Sequence, residues 1–528
     1  MNRWWARIEA AAARIDRSSG LQLAALLVLA LVIRAASFTQ IAADWDDAVY
    51  VLMARSMLNG HAPYMAVWDH KPPGIYCLFA AIEALGGSVI AIRVATCLAL
   101  AATAWAILRL WSTLFGAENR RGWIAAVIFL GLADRYVGAA VNTEQFFVAF
   151  VALGFALLLP FAGPLAAQRS EPRPGRAFAG GLLLGVAFQI KFVIAVDVAF
   201  LVGLFAWTAF VSGRSAEGAP GLASDRSAAR RRLVALLGPM LLGFLLPSLA
   251  VVAFFAAHHL LRPYVYANFL ANLHHADDRL KPRATLEFLA SIVNAAPLVW
   301  GLALVAVAVD TSAGQVHRAR ALSVWLLLTL LAVLAPGQPY THYALQTAVP
   351  AALLATFVLD ALVLSKLPRA SQRQAVTFAA LFAVYGAFVV PWSFAAKNLV
   401  SRMTHLGHPH LETVDEAASY LRPRLDGDRL IYVVDLSPIL YELADAKWPT
   451  RYLFPPFLAD PHFSRTAGVD PTRELEAIKA QRPLYLIRRT APLAIYAGFR
   501  KQADALFQSD YQPVATFEDV EILRRNGS

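Results

Sequence analysis

A polar segment that follows the first apolar stretch holds most of the residues with chemical potential. It reads DWDDAVYVLMARSMLNGHAPYMAVWDHKPPGIY and contains an acid pair, Asp46-Asp47, and a lysine, Lys71. A carboxylate can accept a proton from a hydroxyl group, and an ammonium group suits phosphate oxygens as a point charge. The segment therefore carries residue types that proton transfer and phosphate binding require.

The elements around these residues are predicted to hold them at a membrane surface. The stretch AVYVLMARSMLNG has apolar residues at helical spacing and ends at Gly60, which predicts a short helix lying along the membrane. Asp46 and Asp47 begin this helix, where the helix dipole favours carboxylates, and a simple helix cap is the alternative interpretation. Lys71 precedes Pro72-Pro73-Gly74, which rigidify the chain and present the ammonium group at the end of the loop. A lipid phosphate is its expected partner, and a lysine that snorkels to headgroups is the alternative.

The composition is that of a polytopic membrane protein. Of the 528 residues, 58% are hydrophobic and 16% are charged, and the mean hydropathy is +0.52, whereas a soluble domain has about 25% charged residues. The net charge of +11 is interpreted as loop charge that sets membrane topology, so nucleic-acid binding is excluded. Cys77 and Cys97 lie in apolar stretches, which argues against disulfides and a cysteine-ligated metal site.

Eleven apolar segments predict transmembrane helices. They are 21–38, 88–115, 123–138, 144–163, 177–190, 194–212, 233–258, 285–308, 321–335, 343–364 and 375–396, and the fifth and sixth alternatively form one long helix. With the N-terminus inside, the cytoplasmic loops carry 19 Lys and Arg residues and the outer loops carry 8. The positive-inside rule therefore predicts a cytoplasmic N-terminus, and an odd number of spans places the C-terminal segment outside.

Residues 398–528 are predicted to form a small soluble α/β domain after a membrane domain of residues 1–397. Helix-like and strand-like pieces alternate there: HLETVDEAASYLRPRL, RLIYVVD, a helix near Ser437–Ala446, RELEAIKAQ, PLYLIRR and a strand pair near Val514–Leu523. A segment of about 130 residues is large enough for its own hydrophobic core.

The first outer loop, residues 39–75, resembles that of bacterial GT-C glycosyltransferases, the family of the protein O-mannosyltransferases and the lipid A aminoarabinose transferase. The matching residues are Asp46-Asp47-Ala48-Val49-Tyr50, Ala54-Arg55, Gly60, Pro63-Tyr64 and Trp68-Asp69-His70-Lys71-Pro72-Pro73-Gly74. The family has Asp-Glu at the acid pair, where this chain has two aspartates. The resemblance implies a mainly α, polytopic GT-C fold with about 11 transmembrane helices, followed by the α/β domain.

The resemblance also implies roles for single residues. Asp46 becomes the catalytic base, with Asp47 as the second candidate, and Lys71 becomes the ligand of the donor phosphate. Arg55 and Lys191 are further candidates for phosphate contacts, and snorkelling is the alternative for Lys191.

Two shorter motifs are similar to later outer loops of the same family. They are Asp134-Arg135-Tyr136 with Val141-Asn142-Thr143-Glu144, and Gln338-Pro339-Tyr340-Thr341-His342-Tyr343. The resemblance implies a cavity for the sugar or acceptor, lined by Asn142, Glu144, His342, Tyr343 and, from the first loop, Tyr50. The alternatives are an ion pair between Arg135 and Glu144 and an interfacial aromatic belt.

The expected reaction is displacement at an anomeric carbon, with inversion: a polyprenyl phosphate leaves and an acceptor hydroxyl attacks. No cofactor is expected, and a divalent metal is allowed but not required. Loop 259–284 is rich in histidine and acids, but their spacing is not a known ligand pattern, which favours a solvated loop or one that closes over substrate.

The expected partners are the lipid bilayer, a polyprenyl-phosphate sugar as donor, and a lipid, polysaccharide or protein as acceptor. The expected location is the bacterial cytoplasmic membrane, with the C-terminal domain in the periplasm. A secondary transporter and an inactive scaffold of an envelope polysaccharide pathway are the competing interpretations.

Overall fold

The computed structural model describes residues 13–39, 45–87, 89–116, 119–167, 170–214, 223–275, 282–309, 313–366, 413–425, 427 and 429–527. Its helices before residue 367 are α1 (Ser19–Ile33), α2 (Trp45–Leu58), α3 (Gly74–Ala84), α4 (Val89–Phe115), α5 (Asn119–Val137), α6 (Thr143–Leu158), α7 (Pro174–Ile190), α8 (Ala195–Arg214), α9 (Ala223–Ala257), α10 (Leu261–Val265), α11 (Ala271–His275), α12 (Pro282–Ala295), α13 (Pro297–Val305), α14 (Ala313–Leu334) and α15 (Leu345–Leu362). The chain is therefore mainly α, as the sequence predicts.

Ten of the eleven predicted spans coincide with helices, and the eleventh, 375–396, lies outside the described residues. Six helices of the described ranges are long and apolar enough to cross a membrane by themselves. The predicted eighth span is instead two helices, α12 and α13, that meet at an angle of 100°. Pro297 explains the break, because the residue before a proline avoids helical geometry and Ala296 has φ −153° and ψ 67°. The fold is that of a multi-pass membrane protein.

In the membrane part, small residues allow neighbouring helices to approach closely. At Gly181 of α7, a β-carbon would lie 1.9 Å from the Met240 carbonyl oxygen of α9. Any side chain there would push the two backbones apart, so glycine permits the approach. The fifth and sixth predicted spans are separate helices, α7 and α8, because the chain leaves the helix at Lys191, which is extended with φ −155°.

The predicted surface helix is α2, and Asp46 and Asp47 lie in its first turn as expected. Sequence analysis missed α3, which directly follows the Lys-Pro-Pro motif. Its eleven residues are too short to span a bilayer, so span counting passed over them. This helix nevertheless presents Tyr76 to the polar loop before it.

The C-terminal part is α/β, as predicted. It contains α16 (Thr413–Leu421), β1 (Ile431–Val433), α17 (Ile439–Leu443), α18 (Pro456–Ala459), α19 (Pro461–Ala467), α20 (Pro471–Ala480), β2 (Tyr485–Arg489), α21 (Ala497–Phe507), β3 (Tyr511–Phe517) and β4 (Val520–Arg525). The sheet order is β1-β2-β4-β3, with β1 parallel to β2 and the other pairs antiparallel. Helices α18, α19 and α21 were not predicted. The predicted domain boundary after residue 397 lies outside the described residues.

The C-terminal part packs directly on the first outer loop. The Trp68 backbone N–H donates to the Arg451 carbonyl at 2.8 Å, and the Trp448 indole donates to the Ala66 carbonyl at 3.1 Å. Arg55 of α2 binds Glu442 at 3.0 Å and Asp445 at 2.5 Å. The loop that carries the predicted chemistry is therefore held between the membrane helices and the α/β part.

Candidate active site

A cavity of about 200 Å³ is lined by five separate parts of the chain. Its lining residues are Asp46, Val49, Asp69, His70, Lys71, Thr143, Lys191, Tyr340, His342, Tyr343, Phe454 and Phe463. The first outer loop, the start of α6, the α7–α8 break and the segment before α15 all contribute. Three of these parts carry the sequence motifs, and the α7–α8 break carries the separate candidate Lys191. The two phenylalanines come from the C-terminal part and were not predicted.

Lys71 is the centre of the polar side of this cavity. Its Nζ atom lies 3.1 Å from Oδ1 of Asp46 and 3.5 Å from Oδ2 of Asp69. It also lies 5.0 Å from the ring centroid of Tyr50, within cation–π range. Two carboxylates thus share one ammonium group, and we refer to Asp46, Asp69 and Lys71 as the Lys71 cluster.

Asp69 is held more firmly than Asp46. Its side chain is 3% exposed, against 22% for Asp46, and it accepts hydrogen bonds from the Tyr76 hydroxyl and the His70 backbone N–H, both at 2.8 Å. Burial favours the neutral acid, but the Lys71 ammonium and the His70 hydrogen bonds outweigh it, so the pKa of Asp69 lies well below its usual range. Asp69 is the fixed counterion of Lys71, and sequence reasoning did not single it out.

The pKa of Lys71 is shifted in the opposite direction. Burial by itself lowers the pKa of an ammonium group, yet the carboxylates of Asp46 and Asp69 raise the Lys71 pKa above its usual value. Lys71 therefore remains a cation throughout the physiological pH range.

The segment 261–275 supports the Lys71 loop from outside. The Asn268 side-chain amide donates to the Tyr64 hydroxyl at 2.9 Å, and that hydroxyl donates to the Lys71 carbonyl at 2.9 Å. Asn272 donates to the His70 carbonyl at 3.0 Å. Asn268 and Asn272 are four residues apart and share one helical face, which was the available sequence clue for this support.

Gly74 brings the second lysine of the cavity close to the first loop. A β-carbon at Gly74 would lie 2.4 Å from the carbonyl oxygen of Gln189, two residues before Lys191. The glycine that closes the Lys-Pro-Pro-Gly motif thus allows the start of α3 to touch the end of α7. A larger residue would separate the two segments that supply Lys71 and Lys191.

Lys191 forms an ion pair with Glu144, and we refer to these two residues as the Lys191 pair. Glu144 is 1% exposed and also accepts a hydrogen bond from the Thr143 hydroxyl at 3.0 Å. The Lys191 ammonium lies 3.7 Å from the ring centroid of Tyr343. Arg135 instead donates to the Ala295 carbonyl at 3.3 Å, so the alternative of an Arg135–Glu144 ion pair is wrong.

Asp47 points away from the cavity although it adjoins Asp46. Its Oδ2 atom lies 3.7 Å from Nη2 of Arg93, which is 2% exposed. Arg93 also donates to the Ala139 carbonyl at 2.6 Å, and Arg34 donates to the Gly138 carbonyl at 2.7 Å. These two buried arginines fix the backbone before α6 to the helices α1 and α4. The structure thus gives the two acids different surroundings, with Asp46 alone lining the cavity.

Of the residues predicted for the cavity or for phosphate binding, Asn142, Glu144, Arg55 and Tyr50 do not line the cavity. The Asn142 backbone N–H donates to the Gln145 side chain at 2.7 Å, in a capping box at the start of α6. The two ion pairs of Arg55 with Glu442 and Asp445 turn it towards the C-terminal part. Tyr50 is fully buried behind Lys71.

The late motif before α15 contributes an aromatic group. His342 stacks on Tyr340 with ring centroids 5.6 Å apart and meets Tyr343 edge-on at 4.8 Å. All three rings line the cavity beside Lys191. The three rings therefore lie together in one wall of the cavity.

A second cavity of about 660 Å³ lies outside the Lys71 loop. It is lined by Tyr64, Trp68, Leu261, Arg262, Pro263, Val265, Tyr266, Leu270 and Arg451. Apolar and aromatic groups dominate this lining, with two arginines as cations. Tyr64 links it to the first cavity, because its hydroxyl holds the Lys71 carbonyl.

Within the described ranges, no group of three or more His, Cys, Asp or Glu residues is arranged to hold a metal ion. Residues 276–281 of the histidine-rich loop lie outside those ranges, so part of that prediction is untested.

Comparisons with known proteins identify the fold. No family model matches the sequence, and no curated protein matches it significantly. The solved structure of ArnT from Cupriavidus metallidurans bound to undecaprenyl phosphate is similar, with a TM-score of 0.56 and 14% identity over 96% of this chain and 98% of that one.

Two further solved structures are similar along most of this chain. The arabinofuranosyltransferase AftD from Mycobacteria has a TM-score of 0.52 and 14% identity, over 97% of this chain and 40% of that one. The oligosaccharyltransferase of Archaeoglobus fulgidus has a TM-score of 0.50 and 12% identity, over 89% and 69%. The chain therefore has the GT-C fold of polytopic membrane glycosyltransferases.

Proposed function

We propose that this protein is a membrane glycosyltransferase that moves a sugar from a polyprenyl-phosphate carrier to an acceptor hydroxyl. The observation that carries the proposal is the Lys71 cluster, in which a partly exposed carboxylate and a permanent cation face the same small cavity. A base and a phosphate ligand that face the same cavity are the groups that this reaction needs. The shared fold with ArnT, which was solved with undecaprenyl phosphate, supports this class of donor.

Donor binding would free the base in this proposal. Lys71 holds Asp46 and Asp69 at once, and an arriving phosphate competes for the same ammonium group. Asp46 is the more exposed and less hydrogen-bonded of the two acids, so it is the one displaced. The released Asp46 carboxylate then accepts the proton of the acceptor hydroxyl as that hydroxyl attacks the anomeric carbon.

Lys71 stabilises the negative charge that develops on the departing phosphate. A phosphate leaving group needs no proton, so a second carboxylate acting as acid is unnecessary. A single displacement of this kind inverts the anomeric configuration.

The second cavity suits the lipid part of such a donor. Its lining is mainly apolar, and Arg262 and Arg451 add positive charge beside the Lys71 loop. A polyprenyl chain requires apolar surface, and its phosphate requires cations. By the positive-inside pattern of the loops, we place this site on the outer face of a bacterial cytoplasmic membrane, with the C-terminal part in the periplasm.

The test is consumption of radiolabelled undecaprenyl-phosphate sugars by purified protein in detergent, supplemented with a membrane-lipid extract as acceptor source. The wild-type protein is expected to consume at least one donor. Asp46→Asn is isosteric and removes only the base, so kcat is expected to fall by about 10²- to 10⁴-fold while the protein stays folded.

Asp47→Asn is the matched control, because the same change is made one residue away. It is expected to lower thermal stability through loss of the Arg93 contact and to leave kcat within a few-fold of wild type. Normal turnover by a folded Asp46→Asn protein, or loss of turnover in Asp47→Asn alone, would contradict the assignment of the base.

A further inference from the structure

Two phenylalanines from the C-terminal part of the chain line the active-site cavity, and we refer to them as the aromatic roof. Phe454 precedes α18, Phe463 lies in α19, and both line the cavity that contains Asp46 and Lys71. Their ring centroids are 5.8 Å apart. No motif in the sequence marks these two residues, and the reaction proposed above assigns them no role.

Other aromatic residues hold the two phenylalanines in place. Phe454 meets Trp45, the first residue of α2, edge-on at 6.1 Å, and Phe457 packs between Phe454 at 5.1 Å and Trp68 at 4.7 Å. Phe463 in turn lies 6.2 Å from Phe457. Aromatic residues of both the outer loop and the C-terminal part thus hold the rings that face the cavity.

Most of the other lining residues are polar, although Val49 and the rings of Tyr340 and Tyr343 also line the cavity. Asp46, Asp69, His70, Lys71, Thr143, Lys191 and His342 carry carboxylate, ammonium, hydroxyl and imidazole groups. The cavity therefore offers hydrogen-bonding and charged groups together with two phenylalanine rings from the C-terminal part. A monosaccharide has both kinds of surface, because its hydroxyls lie around the edge of the ring and its C–H bonds form apolar faces.

Building on the proposed function, we infer that Phe454 and Phe463 form the sugar subsite, on which the transferred monosaccharide packs one C–H face. Ring faces carry negative partial charge and attract polarised C–H groups, so this contact stabilises the bound sugar beyond the effect of burying apolar area. The hydroxyl edge then meets the polar walls, and the anomeric carbon is directed towards Lys71 and Asp46.

The size of the cavity agrees with one sugar unit. Its volume of about 200 Å³ is below the about 300–1,000 Å³ of pockets for drug-sized ligands. A single ring fits, and an oligosaccharide does not. The subsite accordingly belongs to a donor that carries one monosaccharide, with the carrier chain outside this cavity.

The test uses four radiolabelled donors, undecaprenyl phosphate linked to glucose, mannose, galactose or arabinose, and two substitutions at Phe463. Phe463→Leu keeps apolar volume and removes the ring, whereas Phe463→Tyr keeps the ring. Phe463→Leu is expected to raise the KM of the consumed donor about tenfold, with a smaller change in kcat, and Phe463→Tyr is expected to remain within about threefold of wild type.

Phe507→Leu is the packing control, because Phe507 is buried in the core of the C-terminal part and belongs neither to the cavity lining nor to the aromatic group around Phe454. It is expected to lower the melting temperature and leave KM near the wild-type value. Equal KM changes in Phe507→Leu and Phe463→Leu, or an unchanged KM in Phe463→Leu, would overturn the sugar subsite. If the wild-type protein consumes none of the four donors and none of a wider set, the proposed function fails instead, and the two failures are distinct.

Discussion

The two lysines of the active-site cavity are held in different ways. Lys71 is shared by Asp46 and Asp69 on a loop, and Asp46 is 22% exposed. Lys191 is paired with Glu144 at the junction of membrane helices, and Glu144 is 1% exposed. The Lys71 cluster can lose one carboxylate contact and remain neutralised by the other. Among the described residues, Glu144 is the one carboxylate within ion-pair distance of Lys191.

This difference assigns different tasks to similar residues. A cation that is paired with two carboxylates can exchange one of them for a substrate phosphate at little electrostatic cost. A buried pair that loses one member leaves an uncompensated charge in a medium of low dielectric constant. We therefore expect the Lys71 cluster to govern catalysis and the Lys191 pair to govern the stability and shape of the cavity.

The largest effect on stability is expected from Glu144→Gln. Removing the buried carboxylate leaves Lys191 without its counterion, and the free energy of unfolding should fall by about 3–5 kcal/mol. Chemical denaturation in detergent measures this change. The double variant Glu144→Gln/Lys191→Met removes both charges and should recover much of the loss. If the double variant were less stable than Glu144→Gln, the pair would not be the source of the stabilisation.

The next largest effect is expected from Lys71→Met. Loss of a charge-assisted phosphate contact costs about 1.5–3 kcal/mol, which corresponds to a rise of about 10- to 100-fold in the KM of the lipid-linked donor. Steady-state kinetics with the consumed donor measure it. Lys71→Arg keeps the charge and is the matched control, with a smaller rise. An unchanged KM in Lys71→Met would exclude the phosphate role.

The pH dependence of stability tests whether Asp69 is the counterion of Lys71. Its pKa is lowered in the folded protein, so its contribution is complete above the ordinary carboxyl pKa of about 3.9 and is lost as the pH falls through the folded-state value. The raised pKa of Lys71 makes its contribution complete below about 10.4 and lost only at higher pH.

The melting-temperature difference between wild type and Asp69→Asn should therefore be constant from about pH 5 to about pH 9 and shrink below about pH 4. Melting curves across this range measure it. A difference that grew towards acid pH would show that Asp69 is not the fixed counterion of Lys71.

The smallest effect is expected from Arg55→Ala, which removes two ion pairs at the contact with the C-terminal part. Arg55 and its partners are 26–40% exposed, and partly exposed pairs contribute about 0.2–1 kcal/mol. The melting temperature should fall slightly, and the donor KM should not change, because Arg55 lies outside the cavity. A rise in KM equal to that of Lys71→Met would instead show that Arg55 contacts the donor phosphate.

Local sequence patterns predicted the elements that carry the site. The helix start at Asp46-Asp47, the rigid Lys71-Pro72-Pro73-Gly74 turn and the break at Lys191 depend on residues adjacent in the chain, and the structure has all three features. The structure brings residues of all three motifs to one cavity, but Asn142, Glu144 and Tyr50, which were predicted to line it, do not. The missed helix α3 and the aromatic roof have no such local signature, because their function depends on residues that they meet in space.

The sequence by itself thus determined a chain of apolar helices, a polar first outer loop with an acid pair and a lysine, and an α/β segment at the end. Only the tertiary structure decided which acid faces the cavity. Consecutive helical residues point about 100° apart, so the way α2 packs determines that Asp46 lines the cavity and Asp47 does not. The same holds for the partners of Glu144 and Arg55, which are 47 and 387 residues away along the chain. Hydropathy and capping act between neighbours in sequence, whereas ion pairs and cavities require segments that only the packed fold brings together.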